Sequence, residues 1–227
     1  MYWLFNSSLG RKFIMSITGT CLVLFLLFHM CMNLVLVFST EAYDMICEFL
    51  GANWYAVVAT LGLAGLAALH ILYGTLLTLQ NKSARGSQGY SSGNKTKTEW
   101  SAKNMYVLGL FILLGLVIHL CNFWYKMQFA ELIGSPDAVA AGSGLVIELF
   151  SKAVYVVIYL LWLFALWFHL THGVWSAFQT LGWNNKTWYR RLHGISCIVA
   201  TIIAIGFAAA PIYFGVESLL NGIMTLY

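Results

Sequence analysis

Five stretches of the chain, near residues 13–38, 54–79, 104–126, 153–181 and 194–214, are apolar for at least the roughly 20 residues a helix needs to cross a bilayer. That constraint leaves few options, because in lipid every backbone N–H and C=O must find its partner within the protein. Composition points the same way: 60% of residues are hydrophobic and only 9% are charged, against about 25% charged in an ordinary soluble domain. Two prolines and a mean hydropathy of +0.78 favour long helices over a β-barrel. The expected class is all-α, an integral membrane bundle of five transmembrane helices forming a single domain over residues 1–227, with no visible repeat. A soluble enzyme, a disordered chain and a nucleic-acid binder are excluded. The first apolar run is too long for the core of a cleavable signal and reads as a retained helix.

The connectors set the expected orientation. Arg11 and Lys12 precede the first span; Lys82, Arg85, Lys95, Lys97 and Lys103 separate the second from the third; Lys186, Arg190 and Arg191 separate the fourth from the fifth. These are 10 of the 12 basic residues, accompanied by one acid, Glu99. The other side holds Glu41, Asp44, Glu48, Glu131, Asp137, Glu148 and Glu217. The asymmetry places the N-terminus in the cytoplasm and the C-terminus outside. The segment 81–93, rich in Gly, Ser, Gln and Asn, reads as a solvated loop whose charge is a topology signal first and a docking feature second. Sequons at Asn6, Asn94 and Asn185 fall on the cytoplasmic side and read as chance. Cys21, Cys31, Cys121 and Cys197 lie in apolar runs, Cys47 is expected in a loop, and no metal-type spacing joins them, so they read as small hydrophobes. Trp54, Trp183, Trp188 and Tyr189 read as interfacial belt residues.

Ionisable residues within spans are costly and point to function. Five of the six histidines, His29, His70, His119, His169 and His172, fall inside spans, and His193 begins the fifth. Any one of them could be a neutral histidine bonded to a neighbouring helix, but their depths form a pattern. His29 lies 16 residues past Phe13 and His119 15 past Asn104, about 24 and 22 Å from the cytoplasmic edge at 1.5 Å per residue. His70 lies 9 residues before Leu79 and His169 12 before Leu181, about 14 and 18 Å from that edge. Two pairs at two depths suggest two stacked cofactors. A bare metal site would want three or four converging ligands, whereas a haem needs only two axial imidazoles. Filling both axial positions suits electron transfer rather than oxygen chemistry. Gly19, Gly74, Gly115 and Gly173 could admit a flat macrocycle, or could serve ordinary helix packing. Arg11, Lys12, Arg190, Arg191 and His193 could meet haem propionates at the cytoplasmic boundary; His193 reads equally as a snorkelling interface residue.

At these residues the chain resembles the cytochrome b membrane-anchor subunit of bacterial succinate dehydrogenases and fumarate reductases, in the single-polypeptide, five-helix, di-haem form. The resemblance rests on Ser16-x-x-Gly19, His29-x-x-x-Asn33, His70-x-x-Tyr73-Gly74, His119 in the third span, and the run from Phe168 to Ser176 followed by Gly182-Trp183. It spans the chain from about Arg11 to the end of the fifth helix. It implies that His70 and His169 ligate a proximal haem b and that His29 and His119 ligate a distal one. It also implies a flavoprotein subunit and an iron–sulfur subunit as partners, a membrane quinone (menaquinone) as electron carrier, a bacterial inner membrane, and a whole complex that could dimerise. The chain carries no flavin motif or cysteine cluster, so dicarboxylate chemistry would belong to its partners. His169 and His172 are one turn apart; spacing leaves both open, and the family pattern puts the ligand at His169, with His172 as an alternative ligand, a neighbour supporting it, a proton carrier or packing. For quinone contact the candidates are Glu41, Asp44 and Glu48 on the outer side, each also readable as a solvated acid, and Arg11 and Ser16 on the inner. The alternative functions are the cytochrome b subunit of a hydrogenase or formate dehydrogenase, a transporter using histidines as proton carriers, and an anchor without haem.

Overall fold

The computed structural model describes residues 7–51, 53–85, 100–183 and 185–224. Lys95, Lys97, Glu99 and the sequons at Asn6 and Asn94 lie outside them. Among the described residues every regular element is helical: α1 (Ser8–Phe38), α2 (Thr40–Phe49), α3 (Trp54–Arg85), α4 (Trp100–Lys103), α5 (Met105–His119), a π-helical segment (Leu120–Phe129), α6 (Ala130–Leu132), α7 (Ser143–Phe150), α8 (Ala153–Thr180) and α9 (Lys186–Met224). Five helical stretches are long and apolar enough to cross a membrane: α1, α3, the continuous α5–π–α6 rod, α8 and α9. Each turns bulky apolar side chains outward. Leu24, Leu61, Leu114, Leu161 and Ile205 are 61–68% exposed, an apolar surface of the kind a lipid bilayer covers without cost.

Several boundaries differ from the hydropathy-based expectation, and capping explains most of the differences. The first span starts at Ser8 rather than 13 because the Ser7 hydroxyl accepts the Gly10 amide at 2.9 Å. The fifth starts at Lys186 rather than 194, where Asn185 Oδ1 accepts the amides of Thr187 and Trp188 at 3.1 and 2.9 Å. That role also gives the Asn185 side chain a structural purpose. Helix α3 runs on to Arg85, so the first residues of the 81–93 segment are helical rather than loop. Cys47, expected in a loop, sits in α2, which Ser39 caps by accepting from the Ala42 amide at 3.1 Å. Desolvation by burial pushes its thiol above the ordinary range, which keeps it protonated and unreactive.

The spans alternate in direction. A Cβ on Gly74, late in α3, would meet Met15, early in α1, at 3.2 Å, and one on Gly173, late in α8, would meet Met105, the first residue of α5, at 3.4 Å. The N-terminal ends of α1, α5 and α9 therefore share one end of the bundle, here the basic end, with the C-terminal ends of α3 and α8. At the acidic end, Asp44 on α2 takes the Ser143 amide at 2.8 Å and its hydroxyl at 2.6 Å, capping α7 from another helix. Gln128 of the π-helical segment accepts from Thr60 and Trp124, each at 2.9 Å, and donates to the Gly51 carbonyl at 3.2 Å. These bonds draw three connectors together above a core of Leu36, Tyr43, Phe150, Tyr159 and Phe214.

Asp44→Ala should lower stability by about 1–2 kcal/mol through the lost cap, read as a lower Tm in detergent, whereas Ala at the exposed Glu48 should leave it unchanged. A Cβ on Gly115 would overlap the Trp162 indole, whose Nε1 donates to the Ile112 carbonyl at 3.0 Å. Gly115→Ala should therefore cost about 1–3 kcal/mol by overpacking in the same melting experiment.

Candidate functional site

Helix α1 packs on α3 and α8, α5 packs on α8, and α3 touches α5 sparsely. These four helices thus form a ring in the order α1, α3, α5, α8. Helix α9 lies against α1 and α8 and carries only His193, at its basic end. In such a ring α1 faces α5 and α3 faces α8 across the interior, and neither diagonal pair packs backbone to backbone to any extent. The histidines meet along these diagonals. His29 of α1 and His119 of α5 have ring centres 5.9 Å apart, and His70 of α3 and His169 of α8 are 6.3 Å apart. The inner contact lies level with Gly19 and Gly109, each 10 residues before the outer histidine of its own helix. The levels are therefore about 15 Å apart along the bundle.

The inner level is built on absent side chains. A Cβ on Gly19 would meet His70 Cε1 at 3.1 Å, and one on Gly109 would meet His169 Cε1 at 3.8 Å. Two helices thus leave space where the other two insert rings. His70 Nδ1 lies 3.2 Å from the Thr18 hydroxyl. The Nδ1 of His169 has no hydrogen-bond partner among the described residues.

The outer level is built on aromatic rings. Phe25 stacks on His29 at 5.3 Å with 13° between planes, and Phe207 of α9 closes at 5.5 Å. Around His119 stand Phe123 at 5.2 Å, Trp162 at 5.8 Å and Tyr159 at 6.4 Å. Asn33 donates to the His29 carbonyl at 2.8 Å, with His29 Nε2 at 3.4 Å from the same nitrogen. The Nδ1 of His119 is likewise buried without a hydrogen-bond partner among the described residues. Directly after His119 the rod widens into its π-helical segment, a departure that recurs at functional sites. It places Asn122 to donate to the Tyr159 hydroxyl at 3.1 Å.

The remaining candidates are dispersed. His172 faces Trp175, with centres 5.8 Å apart, and Trp175 in turn meets His193 at 5.4 Å. Arg190 and Arg191 are exposed at the basic end, with the Arg191 guanidinium 5.7 Å from the centre of the Trp188 ring. Arg11 is half-buried and Lys12 exposed near the start of α1. The Ser16 hydroxyl is spent on the Lys12 carbonyl at 2.9 Å. Of the three acids, Asp44 is the cap of α7 and Glu48 is exposed. Glu41 lines a cleft of about 710 Å³ at the acidic end together with Tyr213, Phe214 and Glu217. Sequence reasoning missed Thr18, Gly109 and the aromatic surround of His119. Thr18 stands between Ser16 and Thr20, so which hydroxyl meets a histidine depends on helix rotation, as do the others.

The pairs can be tested against a group held between two imidazoles. An ion about 2 Å from one nitrogen of each ring, with about 1.1 Å more to each ring centre, would set the centres about 6.2 Å apart. The observed 5.9 and 6.3 Å lie on either side of that separation. Edge-to-face aromatic pairs span the same range, so distance alone carries little. Beside it stand the buried Nδ1 atoms of His119 and His169 and the glycine-made room at the inner pair. Among the described residues no group of three His, Cys, Asp or Glu side chains converges on one point, so a bound metal would need further donors from a ligand of its own. No family model, curated protein or solved structure matches the chain.

Proposed function

We propose that the chain is a membrane cytochrome b, the anchor subunit through which a succinate dehydrogenase or fumarate reductase exchanges electrons with a membrane quinone. The observation that carries this reading is the meeting of two imidazole pairs on the two diagonals of one bundle, at two levels. Each pair offers two nitrogens and no other ligand, which is the protein's share in a bis-histidine haem. Bound there, a haem would supply one-electron transfer with no axial position left for oxygen.

The chain's own residues supply the rest. His70 and His169 would hold iron nearer the basic end, and His29 and His119 nearer the acidic end. Gly19 and Gly109 keep side chains out of the inner level, and the aromatic rings around the outer pair exclude water from it. Arg11, Lys12, Arg190 and Arg191 offer cations, and His193 a hydrogen-bond donor, for carboxylate tails at the basic end. The excess of positive charge there supports a cytoplasmic location for that end, hence a bacterial inner membrane with the iron–sulfur and flavoprotein subunits docked on that face. Quinone turnover moves protons with electrons and needs a titratable group open to water. The cleft beside Glu41 and Glu217 supports Glu41 over Asp44 for that role, since Asp44 is committed to α7, and menaquinone is the quinone this reading names.

Purified from haem-replete cells, the chain should give a dithionite-reduced minus oxidised spectrum of low-spin b-type haem with two haems per polypeptide. His70→Leu or His169→Leu should each leave one haem, while His172→Leu should keep both. A folded chain without haem would sink the reading and leave the histidines as proton carriers or packing groups.

A further inference from the structure

Thr18 is 3% exposed, and its hydroxyl lies 2.9 Å from the Ile14 carbonyl, 3.1 Å from the Met15 carbonyl and 3.2 Å from His70 Nδ1. A threonine hydroxyl has one proton to give and two lone pairs to receive. Both carbonyls can only accept, and the nearer lies at 2.9 Å against 3.2 Å for Nδ1, which favours giving the proton to a carbonyl. Thr18 then faces His70 as an acceptor, and the hydrogen between them belongs to Nδ1. In a neutral imidazole that leaves the lone pair on Nε2. Gly19, the next residue along, lets the ring come this close: a Cβ there would sit 3.1 Å from Cε1 and 3.6 Å from Nδ1. No hydroxyl stands in this place for the opposing imidazole of His169.

We propose that Thr18 is a positioning residue for the inner site, fixing His70 in the tautomer whose Nε2 is free to ligate. The ligand role of His70 rests on the cytochrome reading above; the tautomer does not. An imidazole whose far N–H is held by an acceptor is a stronger electron donor to its metal, and stronger donation favours the oxidised metal. Thr18 therefore lowers the potential of the inner site selectively, and the outer site, about 15 Å away, does not feel it.

The test uses the full chain with Thr18→Val, which keeps shape and loses the oxygen, and Thr18→Ser, which keeps the oxygen. In a potentiometric titration of the haem-loaded chain, the inner step should move to higher potential in Thr18→Val and return to the wild-type value in Thr18→Ser, with the outer step unmoved in both. Nitrogen-15 spectra of the haem-free, histidine-labelled chain give a second readout, with the His70 signal assigned by its loss in His70→Leu. His70 should be a single Nδ1–H tautomer in the wild type and in Thr18→Ser, and a mixture in Thr18→Val. An unmoved inner step, or an unchanged tautomer in Thr18→Val, overturns the proposal. A wild type that takes up no haem sinks the cytochrome reading instead, and the tautomer spectra still decide the role of Thr18. Should Thr18→Val fail to accumulate, Thr18→Ala removes the same acceptor.

Discussion

An imidazole inside a bundle whose outer surface is apolar must find every polar contact within the protein, and the core of this chain is arranged around that need. Within the bundle four histidines meet in two ring pairs, and each pair lies where facing helices do not otherwise touch. The two levels solve the packing differently. At the inner level α1 and α5 contribute glycine while α3 and α8 contribute rings. At the outer level α1 and α5 contribute the rings, and α8 answers with Tyr159 and Trp162 rather than with empty space. The inner imidazoles are therefore held in a space shaped by backbone, and the outer ones in a cage of side chains.

Ring pairs set between facing helices need a well-packed surround to stay in place. Helix α9 supplies part of it: Ala200 and Ile203 are fully buried against Leu163, Leu166 and Leu170 of α8. The acidic end supplies the rest through polar bonds. Gln128 joins the π-helical segment to the start of α3, and Asp44 joins α2 to α7. The π-helical segment begins beside His119 and ends beside Gln128, and so spans the stretch between the outer ring and the connector bonds.

The five spans and the alternation of their directions were legible because lipid solvation is written into composition over long windows. Helix ends were not, because a cap is one side chain and one turn: Ser7 and Asn185 extend α1 and α9 by several residues beyond where hydropathy falls. The short helices α2 and α7 escaped for the same reason, being amphipathic segments outside any span. Axial rise sorted the histidines by depth, since 1.5 Å per residue accumulates regularly along a helix. Which nitrogen of His70 is held depends on azimuth and on the spare hydroxyl of Thr18, and neither appears in a count of residues.

The acids at the outer end make the same point about function. Glu41, Asp44, Glu48 and Glu148 all stand beside apolar runs, and a sequence treats them alike. In the fold they separate. Asp44 accepts two hydrogen bonds and holds α7. Glu148 pairs with Lys152 at 2.9 Å on the open surface, and that hydrogen bond holds its carboxyl below the ordinary range, an exposed pairing of little consequence for stability. Glu41 is left on the wall of a cleft that Glu217 shares. Structural duty thus sets Asp44 apart from Glu41, which lies beside open space that no count of acidic residues along the sequence reveals.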